Sequence, residues 1–421
     1  MTEKIAKPQL RFAGFDDTWE QRKVGELLIE RNEQAPMNEE YPLMAFIANE
    51  GVAPKGERYD RSSLVTDTEN KLYKRTEFGD FIYSSNNLET GSIGLNKYGK
   101  ACISPVYSVF HPTGIADSNF LGRRLVRKDF INSMVKWRQG VIYGQWRIHE
   151  SDFLKIDIPV PSVEEQIQIG TFLDYLDNLI TLHQRKYDKL TNVKKSMLEK
   201  MFPKNGSNVP EIRFKGFSDA WEQRKFDEVF DCTIPNNTLS RAELNYESGS
   251  VRNIHYGDIL IKYGSVVDVQ NDEIPFATGK SSDDFKGALL QDGDIIIADT
   301  AEDETTGKAC EIGNSQGLDV VSGLHTMVCR PRNKMALGYL GYYLNSDAYH
   351  QQLLPLMQGI KVLSLSRTNV QKTMVYYPKN NVEQQLIADC FRNLDNLITL
   401  HQRELEKLKN LKKACLEKMF V

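Results

Sequence analysis

The sequence predicts an α+β fold with two pseudo-repeated mixed α/β domains, separated by two long antiparallel coiled-coil helices. Three observations predict this class. The ten residues LDNLITLHQR occur twice, at 176–185 and 394–403. A longer pattern, Pro-x-x-Arg-Phe-x-Gly-Phe-x-Asp-x-Trp-Glu-Gln-Arg-Lys, also occurs twice, at 8–23 and 210–225. The sequence between these repeats has diverged almost completely, which indicates one scaffold that presents two different surfaces.

The spacing of the repeats predicts the order of the segments. The copies are 202 residues apart in the longer pattern and 218 apart in the decapeptide, so each half is of domain size. We predict an N-terminal arm at 1–23, a first variable domain at 24–161, a central helix at 162–202, a linker and repeated arm at 203–225, a second variable domain at 226–379 and a C-terminal helix at 380–421. The repeated arm at 210–225 follows the end of the central helix. By analogy, we expect its copy, the N-terminal arm, to dock near the end of the C-terminal helix.

Each arm contains one tryptophan at an equivalent position, Trp19 in the first and Trp221 in the second. The repeated arms surround both residues with the same neighbours, whereas the domains that follow differ. We therefore expect Trp19 and Trp221 to share a packing role.

Both long helices have the same start signal and the same apolar spacing. Ser162 with Glu165, and Asn380 with Glu383, have the spacing of a capping box. Apolar residues then recur every three or four positions through about 40 residues, which is typical of a coiled-coil seam. The residues predicted to pair the helices are Leu176, Leu179, Ile180, His183, Leu190, Leu394, Leu397, Ile398, His401 and Leu408.

Short apolar runs alternate with Gly-, Asn- and Ser-rich turns in both variable domains, which is typical of strands. Strands are predicted at 81–83, 101–103, 107–110, 259–261, 295–298 and 327–329, and helices at 129–138 and 338–352. Three weak marks are common to the two domains: Gly79-Asp80 with Gly293-Asp294, Gly99-Lys-Ala-Cys102 with Gly307-Lys-Ala-Cys310, and Gln139-Gly140 with Gln358-Gly359. We therefore expect one mixed fold with exchanged loops, and we place Trp137 in its core.

Composition limits the class of protein. With 421 residues, 40% of them hydrophobic and 26% charged, the chain can bury two ordinary cores. Its net charge of −4 means that affinity for DNA must come from local patches or from a partner. The start, Met-Thr-Glu-Lys, lacks an apolar signal core, and no 18-residue apolar run exists. We expect a cytoplasmic protein with no membrane segment.

The sequence contains no motif for a metal or for catalysis. Six cysteines are scattered without a C-x-x-C pair, which argues against zinc. For His183 and His401 we favour a polar layer that fixes the register of the helices over a metal site. Thr278-Gly-Lys-Ser-Ser282 imitates the end of a phosphate-binding loop, but Ile274 stands where that loop needs glycine. The sequence also lacks a glycine-rich turn for a methyl donor and an Asn/Asp-Pro-Pro-aromatic loop.

With its duplicated arm, its duplicated helix and the divergent domains between them, the chain resembles the specificity subunit of Type I DNA restriction-modification systems. The resemblance extends over essentially all of the chain. It implies that each variable segment is a target recognition domain that reads one half of a split site in double-stranded DNA. It also implies that the helices form a spacer that binds two modification subunits.

The resemblance further implies that this chain is not itself an enzyme and binds no cofactor. In the family, modification subunits carry S-adenosylmethionine and methylate adenine, while restriction subunits add translocation and cleavage driven by ATP and Mg. The seam residues given above would then serve in subunit contact as well as in helix pairing.

Sequence-specific reading requires Arg, Lys, Asn and Gln at base edges, with cations and hydroxyls on phosphates. Three clusters of the first domain and one of the second fit this need. The predicted DNA-binding residues are Ser84, Asn86, Asn87, Lys97, Arg124, Tyr143, Gln145 and Arg147 in the first domain, and Lys361, Ser364, Ser366 and Arg367 in the second. The cluster of Arg123, Arg124, Arg127 and Lys128 fits a solvated helix face equally well.

Two other classes of function remain open. A stand-alone DNA-binding regulator with two half-site domains would bind its target tightly without partners, which the near-neutral charge disfavours. A protein scaffold would use the variable domains to bind proteins. DNA binding measured with and without a modification subunit distinguishes these classes.

Overall fold

The computed structural model describes residues 7–54, 71–86, 88–142, 145–204 and 206–421, with the backbone alone for 140–142, 145 and 146. It divides into two compact units. Unit 1 comprises Met1–His183 and Glu404–Val421, and unit 2 comprises Gln184–Arg403. Each unit therefore contains one variable domain and a part of both long helices.

Unit 1 begins with a short strand, and its domain ends just before the first long helix. Its strands are β1 Glu20–Lys23, β2 Leu28–Glu30, β3 Gln34–Ala35, β4 Ala45–Ile47, β5 Gly51–Ala53, β6 Tyr73–Thr76, β7 Phe81–Tyr83, β8 Ile93–Leu95, β9 Ala101–Ile103, β10 Ser108–Pro112, β11 Gln139–Ile142, β12 Gln145–Arg147 and β13 Asp157–Val160. Its helices are α1 Val24–Leu27, α2 Ser118–Arg124, α3 Lys128–Val135, α4 Glu150–Phe153 and α5 Val163–Lys200, of which α5 continues into unit 2.

Unit 2 has as many strands as unit 1 in the part of the chain that the structure describes. They are β14 Glu222–Lys225, β15 Phe230–Asp231, β16 Leu244–Asn245, β17 Val251–Ile254, β18 Val266–Asp268, β19 Phe276–Ala277, β20 Ile295–Ala298, β21 Thr300–Ala301, β22 Ala309–Gly313, β23 Asp319–Ser322, β24 Thr326–Pro331, β25 Leu363–Ser364 and β26 Met374–Tyr377. The helices are α6 Phe226–Val229, α7 Tyr256–Ile261, α8 Tyr339–Leu344, α9 Asp347–Leu353, α10 Arg367–Val370 and α11 Asn381–Lys418, with 3₁₀ turns at Arg241–Glu243, Ser282–Phe285 and Leu354–Leu356.

The central sheets of the two domains share three strands in the same order. Unit 1 has β2-β10-β7-β8, all antiparallel, and unit 2 has β15-β24-β20-β22-β18, in which β18 and β22 are parallel. Alternate residues of the inner strands enter different clusters: Phe81 and Phe110 pack with the helices, whereas Ile82 packs with the smaller sheets. Burial of both faces explains why these strands are apolar without alternation.

The shared Gly-Asp mark forms the turn before the central strand in both domains. Gly79 and Gly293 have φ of +86° and +90°, a left-handed conformation that favours glycine. The aspartates that follow are buried, and each binds an arginine: Asp80 binds Arg31 and Asp294 binds Arg330 at 2.8 Å. The predicted common fold therefore has a common buried ion pair.

Most predicted strands and the predicted α+β class are confirmed, but three local predictions are wrong. Residues 259–261 form the end of helix α7 and not a strand, because a three-residue apolar run fits either element. The helix predicted at 338–352 breaks into α8 and α9 around Ser346. Trp137 is 40% exposed and lies outside the core.

Each arm joins the sheet and the helix end of its own unit. Strand β1 pairs antiparallel with β13, and β14 pairs with β26, so each arm lies beside the strand that leads into a long helix. The backbone N–H of Leu10 donates to the carbonyl of Lys418 at 3.0 Å, and that of Ile212 donates to Lys200 at 2.9 Å. The predicted docking of the N-terminal arm on the C-terminal helix is confirmed.

An arginine of each arm clamps the first turn of a long helix. Arg11 binds both carboxylate oxygens of Glu165 at 2.8 and 2.6 Å, and Arg213 binds those of Glu383 at 2.6 and 2.9 Å. Both glutamates are 1% exposed. The capping box is thus half confirmed: the Ser162 side chain accepts from the Glu165 N–H, but the Glu165 carboxylate binds the arm.

The two tryptophans pack in equivalent places, as predicted. Trp19 and Trp221 are each 3% exposed, and each contacts a phenylalanine at the end of a long helix. The ring centroids of Trp19 and Phe420 lie 6.4 Å apart, and those of Trp221 and Phe202 lie 6.3 Å apart. The indole N–H of Trp221 also donates to Glu383 at 3.3 Å.

The long helices pack together and run antiparallel, as two equivalent ion pairs show. In unit 1, Asp177 in the first half of α5 binds Lys412 in the second half of α11 at 2.5 Å. In unit 2, Lys194 in the second half of α5 binds Asp395 in the first half of α11, also at 2.5 Å. The 218-residue offset of the repeat relates Asp177 to Asp395 and Lys194 to Lys412. The pairing of the helices therefore follows the sequence repeat. Each helix has 38 residues and is about 57 Å long.

Burial along the seam agrees with the predicted pairing except at one position. Leu176 is buried, while Leu179, Ile180, His183, Leu190, Leu394, Ile398, His401 and Leu408 are half-buried. Leu397 is 44% exposed, which does not agree with its predicted place in the seam, whereas its neighbour Ile398 is half-buried. No helix among the described residues is both long and apolar enough to cross a membrane.

We expect Arg213→Leu to lower the free energy of unfolding by about 3–5 kcal/mol, because Glu383 would remain buried without its cation. Arg224→Leu is the matched control, since Arg224 is an arginine of the same arm that binds Glu222 at the surface. Denaturant unfolding followed by tryptophan fluorescence measures both. Equal effects of the two substitutions would contradict a special role for the clamp.

Candidate nucleic-acid interface

The second domain presents a hairpin at residues 358–364, which we call the 358–364 hairpin. The backbone of Gln358 and that of Ser364 exchange two hydrogen bonds of 3.0 and 2.8 Å. Strand β25 also pairs with β21, and the buried Leu365 anchors the segment in the core. A well-anchored hairpin of this kind holds its tip in solvent.

All four residues predicted to bind DNA in the second domain are exposed and lie on or next to this hairpin. Lys361 is at the tip, Ser364 is at its end, and Ser366 and Arg367 begin helix α10. The Ser366 hydroxyl accepts a hydrogen bond from the Asn369 N–H at 3.2 Å, which leaves its own proton free to donate. The four predicted residues are therefore exposed within one short segment, which carries two cations and two hydroxyls.

An acidic run borders the hairpin. Strand β21 leads directly into Glu302-Asp303-Glu304, which are all exposed. The hydroxyl of Thr306, at the end of that loop, donates to the carbonyl of Leu363 at 3.4 Å. Carboxylates repel phosphates but accept hydrogen bonds from the amino group of cytosine. The acidic run therefore disfavours a sugar-phosphate backbone on its side of the hairpin.

The equivalent segment of the first domain is a hairpin of β11 and β12. Gln139 pairs with Arg147, and Ile142 pairs with Gln145. The Arg147 side chain is 64% exposed and lies 3.9 Å from Glu150. Gln145 lies in β12 with only its backbone described, and Tyr143 lies outside the described residues.

The cluster around residues 84–97 is not brought together. Ser84 is 5% exposed, and Asn86 is half-buried, while Asn87 lies outside the described residues. Lys97 is exposed but binds Asp174 of helix α5 at 3.2 Å. The burial of Ser84 removes it from the candidate DNA contacts, because its hydroxyl does not reach the surface.

The arginine cluster of the first domain is structural. Arg124 is 4% exposed and binds Asp129 at 2.9 Å, and burial lowers the pKa of its guanidinium. Arg123 binds Asp174 at 2.8 Å and Asp177 at 2.9 Å, and so ties helix α2 to α5. The prediction that Arg124 contacts DNA does not agree with this burial. For Arg123 and Arg124, the solvated helix face is wrong as well.

The junction between domain and helices repeats in unit 2 with different chemistry. Tyr342 donates its hydroxyl proton to Asp395 at 2.8 Å, and Asp395 also binds Lys194. Asp177 and Asp395 therefore play the same part: each binds a side chain from the domain and a lysine from the other long helix. Sequence reasoning missed both aspartates, although they stand at the same place in the repeated decapeptide.

Comparison with known proteins agrees with this architecture. A family model described as the Type I restriction modification DNA specificity domain matches the chain at residues 16–192 and again at 218–410. The chain is similar to the Type I restriction enzyme MjaVIII specificity subunit of Methanocaldococcus jannaschii, with 24% identity in an alignment of 416 positions that covers 94% of this chain and 91% of that protein. It is also similar to a putative Type I restriction enzyme MjaX specificity subunit of the same organism, with 22% identity over 64% of this chain and 60% of that protein.

A solved structure supports the fold. The S subunit of a Type I restriction-modification system from M. genitalium matches with a TM-score of 0.53 and 14% identity over 99% of both chains. The two matches to the family model cover most of the sequence, one in each half. The chain therefore belongs to the Type I restriction-modification DNA specificity family and is a specificity subunit with two DNA specificity domains.

Proposed function

We propose that each variable domain reads one half of a bipartite site in double-stranded DNA, and that the long helices bind two modification subunits and set the spacing between the half-sites. The observation that carries this proposal is the repeated frame. The same clamp, tryptophan contact and helix ion pair occur in each unit, whereas the exposed loops differ. A frame that is repeated within the chain while its loops differ supports two readers of different sequences.

The 358–364 hairpin and the β11–β12 hairpin are the proposed reading elements. Arg147 and Arg367 are exposed, and an arginine can bind guanine O6 and N7 with two hydrogen bonds. Lys361 and the hydroxyls of Ser364 and Ser366 would then contact phosphates or bases. A local patch of this kind supplies the cations that the net charge of −4 does not.

The chemistry is proposed to reside on partner subunits that act with this chain in the cytoplasm. S-adenosylmethionine would be bound by the modification subunits, and ATP and Mg by the restriction subunits. The absence of a methyl-donor turn and of a phosphate-binding loop from the sequence supports this division. This chain would recognise the DNA sequence and would not catalyse the reaction.

Exposed apolar residues of the long helices support the docking of two partners. Leu182 in unit 1 and Leu400 in unit 2 are 46% and 52% exposed, and they occupy the same place in the repeated decapeptide. Val193 and Leu411 form a second such pair, 37% and 47% exposed. Exposed apolar patches on a protein surface mark contact sites, and these two pairs would belong to two equivalent patches.

We expect two copies of the modification subunit to bind each chain at saturation, measured by native mass spectrometry. Leu400→Asp should remove one copy, and Leu182→Asp combined with Leu400→Asp should remove both, because a desolvated carboxylate opposes docking. Leu72→Asp is the control, since Leu72 is 50% exposed on a variable domain. A single copy at saturation would disprove two equivalent docking surfaces.

Exchange of residues 24–161 for the corresponding domain of another specificity subunit should change only one half of the methylated sequence. The reason is that each unit has its own core and its own hairpin. Sequencing of methylated adenines in DNA from cells that carry the hybrid tests this. A change in both halves, or in neither, would refute independent reading.

Arg147→Ala and Arg367→Ala should each weaken specific binding by roughly 1–3 kcal/mol and relax one half of the site. A phosphate contact would instead weaken binding to all sequences and lower the salt slope by about one unit. Fluorescence anisotropy with specific and scrambled duplexes, in the assembled complex, measures both effects. Arg224→Ala is the control because Arg224 is an exposed arginine of the repeated arm. Binding that equals the control would exclude these hairpins.

A further inference from the structure

One aliphatic side chain at the tip of the 358–364 hairpin contributes nothing to the fold. Ile360 is 100% exposed, and Val362 on the same tip is 50% exposed. An isolated exposed leucine or isoleucine is ordinary on a protein surface, but a fully exposed one at the tip of an anchored hairpin is available to a ligand. Ile360 is thus the most exposed of the large hydrophobic residues that the structure describes.

The backbone of the hairpin fixes the position of Ile360. Gly359 has φ of +128°, and a Cβ at this residue would lie 1.9 Å from the carbonyl oxygen of Val362. Only glycine permits so close an approach, so the chain can turn sharply just before Ile360. The two Gln358–Ser364 hydrogen bonds close the loop on the other side. A residue whose backbone is held in this way loses little backbone freedom on binding.

The surroundings of Ile360 favour duplex DNA as its ligand. Lys361 follows it directly, and the hydroxyls of Ser364 and Ser366 with Arg367 lie at the base of the hairpin. The acidic run 302–304 disfavours phosphates on one side, which directs the tip toward base edges rather than along a strand. A two-stranded ribbon fits the major groove, where thymine presents its C5-methyl group as the apolar feature of the base edge.

We propose that Ile360 packs against the C5-methyl group of a thymine in the half-site that the second domain reads. This inference rests on the proposed reading function of the 358–364 hairpin. The contact makes Ile360 a specificity-determining residue, because it discriminates thymine from cytosine without a hydrogen bond. In the first domain a β-branched residue, Val141, also follows the Gln-Gly pair.

The test removes each side of the proposed contact separately, the C5-methyl group of thymine and the side chain of Ile360. Methylation sequencing first gives the bipartite target of the unmodified complex. Duplexes with that target are then prepared with one thymine at a time replaced by deoxyuridine, which removes only the C5-methyl group. Dissociation constants are measured by anisotropy for the assembled complex that contains the unmodified chain, Ile360→Ala or the control Ile261→Ala. Ile261 is an isoleucine of the same unit, 86% exposed on helix α7.

With the unmodified chain, deoxyuridine at one position of one half-site should weaken binding about three- to tenfold, which corresponds to the loss of one buried methyl group. Ile360→Ala should weaken binding to the thymine duplex by a similar factor and be insensitive to deoxyuridine at that position. Ile261→Ala should behave like the unmodified chain. Because Ile360 is fully exposed, its replacement should leave the melting temperature unchanged.

Two results would overturn the proposal. If Ile360→Ala retains the sensitivity to deoxyuridine, or if no thymine position shows any, Ile360 does not contact a thymine methyl group. If deoxyuridine has no effect, but the fluorescence of 2-aminopurine in the half-site rises with the unmodified chain and does not rise with Ile360→Ala, then Ile360 separates base pairs as a wedge. Failure of the reading function is distinct, because Arg367→Ala would then also bind like its control.

Discussion

The rest of the structure depends on one ion pair that occurs in each unit. It joins a buried carboxylate in the first turn of a long helix to an arginine of the arm. Glu165 and Glu383 have almost no contact with water, so each requires a cation with good geometry. The arms supply it through Arg11 and Arg213, each with two hydrogen bonds. Because each arm is also a strand of the sheet and a partner of the helix end, one ion pair connects sheet, arm and helix in each unit.

The aspartates of the repeated decapeptide attach each domain to the long helices of its own unit. Asp177 and Asp395 accept hydrogen bonds from the lysine of the other long helix and from a side chain of the domain, Arg123 or Tyr342. The helix side of this junction is identical in the two units, while the domain side differs in charge. A domain can therefore diverge in sequence and still attach to the same frame, provided that it offers one hydrogen-bond donor at this place.

Sequence patterns predicted the frame well because its geometry follows from local rules. Three parts of the frame depend only on spacing, capping and repetition. They are the first residues of the two helices at Ser162 and Asn380, the seam around Leu176 and the tryptophans of the arms. The DNA-binding candidates were predicted less evenly. Arg124 and Ser84 have suitable side chains, but their burial is decided by tertiary packing, which the spacing of residues does not encode.

Other features of the candidate interface depend on backbone conformation. Ile360 is apolar, and its exposure became evident only from the turn at Gly359. The same applies to the acidic run 302–304, which lies next to the hairpin because β21 pairs with β25 although they are about 60 residues apart in sequence. Sequence reasoning found the polar members of the hairpin by their chemistry, and it had no signal for their neighbours.

The composition of the two units has a consequence for synthesis on the ribosome. Unit 2 is continuous in sequence, whereas unit 1 requires the last 18 residues of the chain, which include Met419 and Phe420. Until those residues emerge, Trp19 and Phe120 lack a ring that completes their cluster. We therefore expect the second unit to finish folding before the first, the reverse of the usual order in which N-terminal domains fold first. A nascent chain of this design would expose apolar surface near its N-terminus for most of its synthesis.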